Sequence, residues 1–592
     1  VDWHTNFRSL NNAFVEWNII KGLKFKSSFG IDIDYATNKS YNPRSVYSGS
    51  QKNGEAKKIS NNTYTWINEN ILTYTNTWGV HSFTGMVGYT QQQSAYDGFN
   101  AGSYGFLNDN LQMNNLGSGT TYTAPGSEVK KWALNSYLAR VNYTVNNKYL
   151  LTASIRADGS SRFGSDNRWG YFPSAALAWR ASEESFIKDL NIFSNLKPRV
   201  SFGITGNQDG IGTYPAYALL GSNGYVAGGD KVTGYYPSQV ANTNLKWETT
   251  AQFDAGIDFG FFNNRLTVVI DGYYKKTRDL LLKVKVPGSS GFSSGLKNIG
   301  EVENKGFELA INATPIEGDF TWNTSLNLTY NKNKVLDLGD VSFIYPSQPG
   351  QDETGIHLGR IIQVGQPLGT FYGYVYDGLF STTDDIASSA QPTAKPGDIR
   401  YKDISGPDGV PDGVINDLDR TIIGCAQPKL FGGFNNTFSY KNFDLNVNTI
   451  FTIGNDVYNG TRVTMENMQG STNMFASTMN YWTPDNQNAP LPRPLRSKAV
   501  MRVSNQYVEN GSYLRFQNIT LGYNVPTEFL SFTKYVSGLR VYASLQNFIT
   551  ITSYSGDNPE VSKYGQDNLG AGYDAFSYPF AKSVLFGLNV KF

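Results

Sequence analysis

The stretch SVLFGLNVKF, residues 583–592, decides the fold class of this sequence. Its alternate positions are apolar: Val584, Phe586, Leu588, Val590 and Phe592. The residues between them are small or polar, with the one exception of Leu585. Such alternation predicts a β-strand with one apolar and one polar face. This strand fits a soluble sandwich, where the apolar side chains would enter a core, or a membrane barrel, where they would meet lipid.

Composition favours the barrel. Charged residues make up 17% of the 592 residues, below the roughly 25% of soluble globular proteins, while aromatic residues reach 14%. The mean hydropathy of −0.38 and the lack of a run of about 18 apolar residues argue against membrane-spanning helices. An adhesin or a large glycan-binding sandwich would share the richness in Tyr, Asn and Gly, so composition alone leaves that alternative open.

Several classes of function find no support in the sequence. The net charge of +1 and the lack of a basic run argue against a nucleic acid partner. The single cysteine, Cys425, permits no internal disulfide, and the three histidines are too far apart in sequence to suggest a metal site. No Ser-His-Asp or Cys-His arrangement marks a nucleophile, so we do not expect an enzyme.

The alternating pattern recurs along the chain. It is clear in LTASIRADG (151–159), ETTAQFDAGIDFG (248–260), TWNTSLNLTY (321–330) and FDLNVNTIF (443–451). The polar face of these stretches carries Asp, Arg and Asn, which a dry sandwich core would not accept unpaired. A water-filled lumen accepts them, so the pattern predicts an all-β transmembrane antiparallel barrel.

The connections between predicted strands alternate in length. Short or moderate connections fall near 19–25, 77–82, 145–150, 184–197, 261–266, 314–320, 440–445 and 526–538. Long polar segments lie near 37–62, 93–128, 160–167, 209–245, 281–299, 334–429 and 456–510. Short turns at one end and long loops at the other are typical of bacterial outer-membrane barrels.

Pairing strands across the short connections gives about 16 strands, and the terminal strand makes about 17. Single-chain bacterial barrels have even numbers of strands. Followed backwards, the alternation also places residue 1 on the long-loop side, although both termini of such barrels are expected on the other side. The count therefore predicts that residues 1–592 are the later, C-terminal part of a larger barrel.

Several blocks of the sequence resemble the SusC/RagA-type TonB-dependent transporters of Bacteroidetes outer membranes. They include SIRADGSSRFGSDNRWGYFPSAALAWRASEESFI (154–187), NIGEVENKGFELAINATPI (298–316) and GSYLRFQNITLGYNVP (511–526). The resemblance covers most of the chain and implies a barrel of 22 strands in a Gram-negative outer membrane, filled by an N-terminal plug domain. It also implies import of oligosaccharides or peptides, with energy from TonB and a SusD-like surface lipoprotein as a lid.

Three parts that the resemblance implies are not recognisable in this sequence: the TonB-contacting segment, the plug domain and the first five or so strands. Contact with TonB would therefore belong to an absent N-terminal region. The alternative is a passive or structural outer-membrane barrel, or a component of a larger export or surface assembly. A plug domain in the full gene beside a lipoprotein gene would favour import. We expect the lipoprotein to contact 334–429 and 456–510.

Six residues are candidate substrate contacts, two charged and four aromatic: Arg156, Asp158, Tyr235, Tyr236, Trp482 and Tyr573. The charged pair lies on a predicted lumen-facing strand and could bind a polar substrate, or could simply be part of the wall. The aromatic residues lie in long segments, where their rings could stack on sugars or pack against one another and against the lid protein.

The stretch DGVPDGVINDLD (408–419) has the spacing of a twelve-residue calcium loop. Its predicted ligands are Asp408, Asp412, the Val414 carbonyl, Asn416 and Asp419. Gly413 stands at the sharp turn, but Val410 occupies the third position and the last ligand is Asp instead of Glu. The alternative is that Asp and Gly build consecutive turns, with side chains capping the backbone. Calcium is the one cofactor that the sequence suggests.

Overall fold

A computed structural model describes residues 1–292, 294–346, 359–468, 473–495, 502–530, 535–563, 565 and 569–592. Seventeen strands form one large antiparallel sheet, which confirms the predicted number. In chain order they are Asp2–Ile20, Leu23–Asn42, Glu55–Trp78, His81–Phe106, Gly119–Val145, Tyr149–Ser160, Trp169–Trp179, Phe193–Asn207, Glu248–Phe261, Leu266–Arg278, Glu301–Ile316, Phe320–Asp337, Leu430–Tyr440, Phe443–Ile453, Tyr513–Val525, Gly538–Thr552 and Ser583–Lys591.

The sheet has a simple connectivity. Every strand from Asp2–Ile20 to Phe193–Asn207 pairs with the next strand along the chain. The same holds from Glu301–Ile316 to the terminal strand Ser583–Lys591. Consecutive antiparallel strands can be joined by a short turn, so a long connection is not required by the pairing itself.

The long polar segments 37–62 and 93–128 contain shorter irregular connections than the sequence predicted, because much of each segment is β-strand. Glu55–Trp78 and its neighbour His81–Phe106 have 24 and 26 residues, more than twice the length that a barrel strand needs to cross a bilayer. Their pairing continues outward to Asn42 opposite Glu55 and Glu55 opposite Tyr104. Within 37–62 and 93–128 the irregular connections are therefore only 43–54 and 107–118. The polar residues that suggested loops belong to projecting hairpins.

The apolar face of the terminal strand is exposed. The Phe586 side chain is 80% exposed, and Leu588 and Val590 are exposed beside it. A soluble sandwich would bury these side chains against a second sheet, but the buried apolar clusters of the described residues do not include them. A broad exposed apolar surface fits a sheet face that meets lipid.

The chain divides into two compact units. Unit 1 comprises residues 1–180, 199–253 and 277–299, and unit 2 comprises 181–198, 254–276 and 300–592. Unit 1 buries one apolar cluster around Tyr41 and Phe106 and another around Phe163 and Trp247. The main apolar cluster of unit 2, here called the loop core, contains Phe371, Ala426, Tyr458, Val463, Val503, Tyr507 and Tyr573.

The long connections contain short strands of their own. Unit 1 has the hairpins Leu219–Ala227 with Asp230–Gln239 and Leu281–Lys285 with Ser294–Asn298. Unit 2 has the short strands Phe343–Ile344, Arg360–Gln363, Thr370–Gly373, Tyr376–Leu379, Ile399–Tyr401, Thr421–Cys425, Asp456–Asn459, Val508–Asn510 and Tyr573–Asp574. The α-helices among the described residues are Tyr47–Ser50, Ser185–Lys188 and Gly460–Met465. No helix in this part of the chain is long and apolar enough to cross a membrane.

An eighth long connection, 553–582, precedes the terminal strand. Its bounds were not predicted from the sequence, although Tyr573 was expected in a long polar segment. Residues 553–582 contain Tyr, Gly, Pro and Asp in a mixture without period, which is the usual signature of a loop. With this segment, eight short connections alternate with eight long ones.

Candidate functional site

The predicted charged contacts Arg156 and Asp158 bind each other. They stand two residues apart on one strand, so their side chains leave the same face of the sheet. The Arg156 Nε donates to the two Asp158 carboxylate oxygens at 2.7 and 2.9 Å. A terminal nitrogen of Arg156 donates to the Ser136 hydroxyl at 2.8 Å. Arg156 and Asp158 therefore form an ion pair on the polar face of the sheet. A role in substrate contact stays a prediction.

Tyr235 and Tyr236 lie on the exposed hairpin Leu219–Gln239 of unit 1. The Tyr235 side chain is 75% exposed, and Tyr236 is also exposed. Tyr236 stands opposite Gly221, where a Cβ would come within 2.8 Å of the Tyr236 ring. Both rings are therefore accessible to a ligand or to a partner protein. Whether they bind substrate stays a prediction.

The rings of Trp482 and Tyr573 are both buried, which fits the second of the two alternatives, packing within the protein. Trp482 packs against Gly397, where a Cβ would come within 2.5 Å of the indole ring. Gly397 also has a φ of +85°, which side-chain-bearing residues rarely adopt. Tyr573 is 1% exposed and lies in the loop core. Neither ring offers a face to a sugar in this structure, and each stabilises the folded loops instead.

The Asp-rich stretch 408–419 does not gather the predicted calcium ligands. Asp412 accepts the Val414 N–H at 3.0 Å, and the Val414 carbonyl accepts from the Asn416 amide at 3.3 Å. Asp419 accepts the backbone N–H groups of Ile404, Ser405 and Asn416 at 2.8–3.2 Å.

Burial alone would raise the pKa of Asp419, but these three hydrogen bonds hold the pKa of its carboxyl below the usual range. Among the described residues, no group of three or more His, Cys, Asp or Glu side chains could hold a metal ion. Asp412 and Asp419 cap backbone turns in this structure, which is the alternative that the sequence left open, and a calcium site in this stretch stays a prediction. Calcium binding itself has still to be measured.

A network of ionic hydrogen bonds holds three segments of unit 2 together. Arg462 donates to Glu466 at 3.0 and 3.2 Å and to Glu509 at 2.8 Å. Glu509 also accepts the backbone N–H and the hydroxyl of Ser555, each at 2.8 Å. The network joins the helix Gly460–Met465 to the strand Val508–Asn510 and to the connection 553–582. It therefore connects segments that are far apart in sequence.

The pKa values of the network follow from its geometry. Burial alone would raise the pKa of Glu509, but the hydrogen bonds from Arg462 and Ser555 hold it below its ordinary value. Burial would likewise lower the pKa of Arg462, but its hydrogen bonds to Glu466 and Glu509 raise it instead. Arg462 and Glu509 are therefore both charged at neutral pH. Sequence reasoning missed this network, because the partners stand dozens of residues apart in loops.

A family profile described as "TonB dependent receptor-like, beta-barrel" matches residues 2–548. The chain belongs to this family. Its members are outer-membrane barrel proteins, so the comparisons confirm the barrel fold class that the strand pattern predicted.

Two curated relatives show the degree of similarity. TonB-dependent receptor P3 of Formosa agariphila is 38% identical over 595 residues, covering 98% of this chain and 58% of the relative. TonB-dependent receptor SusC of Bacteroides thetaiotaomicron is 34% identical over 556 residues, covering 90% of this chain and 52% of the relative. The chain thus spans a little more than half the length of these TonB-dependent receptors.

A solved structure described as the RagAB peptide transporter covers 100% of this chain and 62% of its own chain, with a TM-score of 0.85 and 27% identity. The resemblance to SusC and RagA that the sequence blocks indicated is therefore confirmed.

Proposed function

We propose that this chain forms the barrel of an outer-membrane importer that takes up oligosaccharides or peptides. In this proposal TonB supplies the energy through another region of the protein, and a SusD-like lipoprotein covers the long loops. The observation that carries the proposal is the similarity to SusC over 90% of this chain, together with the fold shared with the RagAB peptide transporter.

The architecture supports transport over a purely structural role. The described strands have an exposed apolar face, and their polar face holds ion pairs such as Arg156–Asp158 and Arg540–Asp444. A polar face of this kind suits a water-filled interior through which hydrophilic cargo passes. The long connections are folded and contain buried cores, as expected of loops that recognise cargo or a partner.

Deletion of the gene in its host, with complementation, tests the import function. Cells are given fluorescently labelled oligosaccharides and peptides, with and without a protonophore that abolishes the proton gradient. We expect the deletion to abolish uptake of one class of cargo, and the protonophore to do the same. Uptake that persists with the protonophore would favour the passive barrel, and unchanged uptake of both classes in the deletion strain would contradict import.

The lipoprotein contact is proposed for 334–429 and 456–510, although residues 347–358, 469–472 and 496–501 of these segments lie outside the described residues. Deleting 460–505 would remove Val463 from the loop core and would also unfold the loops. Single substitutions of exposed apolar residues are sharper. We expect Val410→Asp and Met479→Asp to reduce co-purification of the lipoprotein, because exposed apolar side chains often anchor interfaces.

Tyr47→Asp in the connection 43–54 is the matched control, since its ring is equally exposed outside the two segments. Loss of the lipoprotein only in the control variant would contradict a contact at 334–429 and 456–510 and would favour one at the connection 43–54.

A further inference from the structure

A cavity of about 610 Å³ opens in unit 2 beside the loop core. Three parts of the chain form most of its lining: residues 459–466 around the short helix, 555–557 after the strand Gly538–Thr552, and 574–579 before the terminal strand. Phe475 completes the wall. None of the residues predicted from the sequence as substrate contacts lines this cavity.

The floor of the cavity is held in place by hydrogen bonds. Arg462 is fixed between Glu466 and Glu509, and the Phe576 N–H donates to the Thr461 hydroxyl at 2.8 Å. Asp574 accepts the Tyr554 hydroxyl at 2.6 Å. The cavity is therefore preorganised, which reduces the entropy that a ligand must lose to bind there.

Aromatic rings stand around this floor and remain accessible. Tyr578 is 93% exposed, and Phe576 and Phe475 are also exposed. Phe576 has a φ of +56°, a backbone conformation that is rare for a bulky side chain. These rings are not part of the loop core, whereas Tyr573, a few residues earlier, is buried in it. Exposed rings beside a cavity supply flat, electron-rich faces for a ligand.

The charges of the lining are unbalanced. Among the described residues that line the cavity, Arg462 is the one basic residue, whereas Glu466, Asp557 and Asp574 are acidic. Arg462 is already shared between Glu466 and Glu509, so it cannot neutralise the other two acids. Asp557 is exposed at the mouth. An anionic ligand would be repelled here, and a cationic ligand would be attracted by the carboxylates and by the ring faces.

We propose that this cavity binds a cationic group, namely the ammonium or guanidinium of a basic peptide. The cation would meet Asp557 and the ring faces of Phe576 and Tyr578, while Asp574 would supply a negative field from below. The inference deepens the proposed function and rests on it only in treating the peptide as cargo. A neutral oligosaccharide is the competing ligand, since sugars also stack on rings but gain nothing from the unbalanced charge.

Equilibrium binding tests the site without energised transport. Isothermal titration calorimetry on the full-length protein in detergent, at low salt, compares tetralysine amide with tetraglutamine amide and maltoheptaose. We expect only tetralysine to bind, with an affinity that falls as sodium chloride is added, because salt screens exposed charges. Binding of maltoheptaose or tetraglutamine as tight as that of tetralysine, or no binding of tetralysine, would overturn the proposal.

Substitutions locate the binding. Asp557→Asn removes one exposed charge with little change of shape, and we expect it to weaken tetralysine binding about five- to tenfold. Tyr578→Ala and Phe576→Gly should each weaken it about three- to fivefold, and glycine accepts the φ of position 576 without strain.

The controls are Asp485→Asn and Tyr47→Ala, which alter an exposed carboxylate and an exposed ring outside the cavity lining and should change the affinity less than about twofold. Equal affinities for the cavity variants and the wild type would contradict the site.

Uptake of labelled tetralysine by cells separates this inference from the importer proposal. Cavity-dependent binding without uptake would leave the site standing and contradict import of this cargo. Energised uptake of tetralysine at wild-type rates in the Asp557→Asn strain would support import of this cargo and contradict a role of the cavity in it.

Discussion

The terminal strand and the loop core use the same residue types in opposite ways. Phe586 on the strand is 80% exposed, whereas Tyr507 in the loop core is 1% exposed. The loops are built like a soluble protein, with aromatic side chains inside, and the strand turns its aromatic side chains outward. This difference shows that the solvent, water in one region and lipid in the other, decides where an aromatic residue is placed. Substitutions in the two regions should therefore have different consequences.

Truncation of Tyr507 should have the largest effect. Tyr507→Ala leaves a cavity in the loop core, and we expect a loss of about 3–5 kcal/mol in the stability of the folded loops. Limited proteolysis of the protein in detergent measures it, since the loops should be cleaved while the strands resist. Tyr507→Phe is the matched control: no acceptor for the Tyr507 hydroxyl lies among the described residues, so its removal should be close to neutral. Equal protease resistance of both variants would contradict the loop core.

A charge on the outer face of the terminal strand should rank second. Phe586→Arg places a guanidinium where we expect lipid, at a cost of about 2–4 kcal/mol near the bilayer midplane and less near the interface. Refolding into lipid vesicles, followed by the heat-dependent gel shift of folded barrels, measures the effect. Asn589→Arg on the opposite face of the strand is the control. Equal folding yields for the two variants would show that this face does not meet lipid.

Acid should weaken the ionic network of the loops. The pKa of Glu509 is lower in the folded protein than in the unfolded chain, so its stabilising contribution is full above the unfolded value of about 4.3. That contribution is lost as the pH falls through the lower, folded value.

Protease resistance of the loops measured from pH 7 to pH 3 should therefore drop at the acid end. Glu509→Gln should cost about 1.5–3 kcal/mol at pH 7, because hydrogen bonds to a charged group are lost, and should flatten the acid dependence. An unchanged acid profile in this variant would assign the transition to other carboxylates.

The smallest effects are expected in the stretch 408–419. If its carboxylates act only as turn caps, 1 mM calcium should leave the thermal unfolding temperature unchanged relative to EDTA. Asp412→Ala loses one exposed hydrogen bond and should cost less than about 1 kcal/mol. Heat evolved on calcium titration of the wild type, absent in Asp412→Ala, would show that the loop rearranges around an ion.

The sequence predicted the strands well because alternation is a local property. A strand with one apolar and one polar face is recognisable from the alternation of its own residues, and the short turns mark where the chain reverses direction. The ends of the longest strands were missed, since hairpins that project into water are polar on both faces and look like loops. No bounds were predicted for the connection 553–582, although its mixture of Tyr, Gly, Pro and Asp without period is typical of a loop.

The candidate site was harder to predict because it depends on contacts between distant segments. The sequence cannot tell that Tyr235 is exposed and Tyr573 buried, although both lie in polar surroundings. Nor does the spacing of Asp408, Asp412 and Asp419 show whether the carboxylates converge on an ion or turn to nearby N–H groups. Arg462 and Glu509 carry no local signal at all. Only the folded loops bring them together.

The pairing of neighbouring strands also bears on how such a chain can vary. Because the strands that border the connections 338–429 and 553–582 are already adjacent in the sheet, each of these loops only has to return to its starting point. The entropy of closing a loop grows with the logarithm of its length, by about 0.6 kcal/mol for each doubling. Insertions in 338–429 or 553–582 are therefore thermodynamically cheap, whereas one residue added within a strand reverses every side chain beyond it. Homologues of this chain are expected to diverge by the lengths of their loops while the sheet keeps its register.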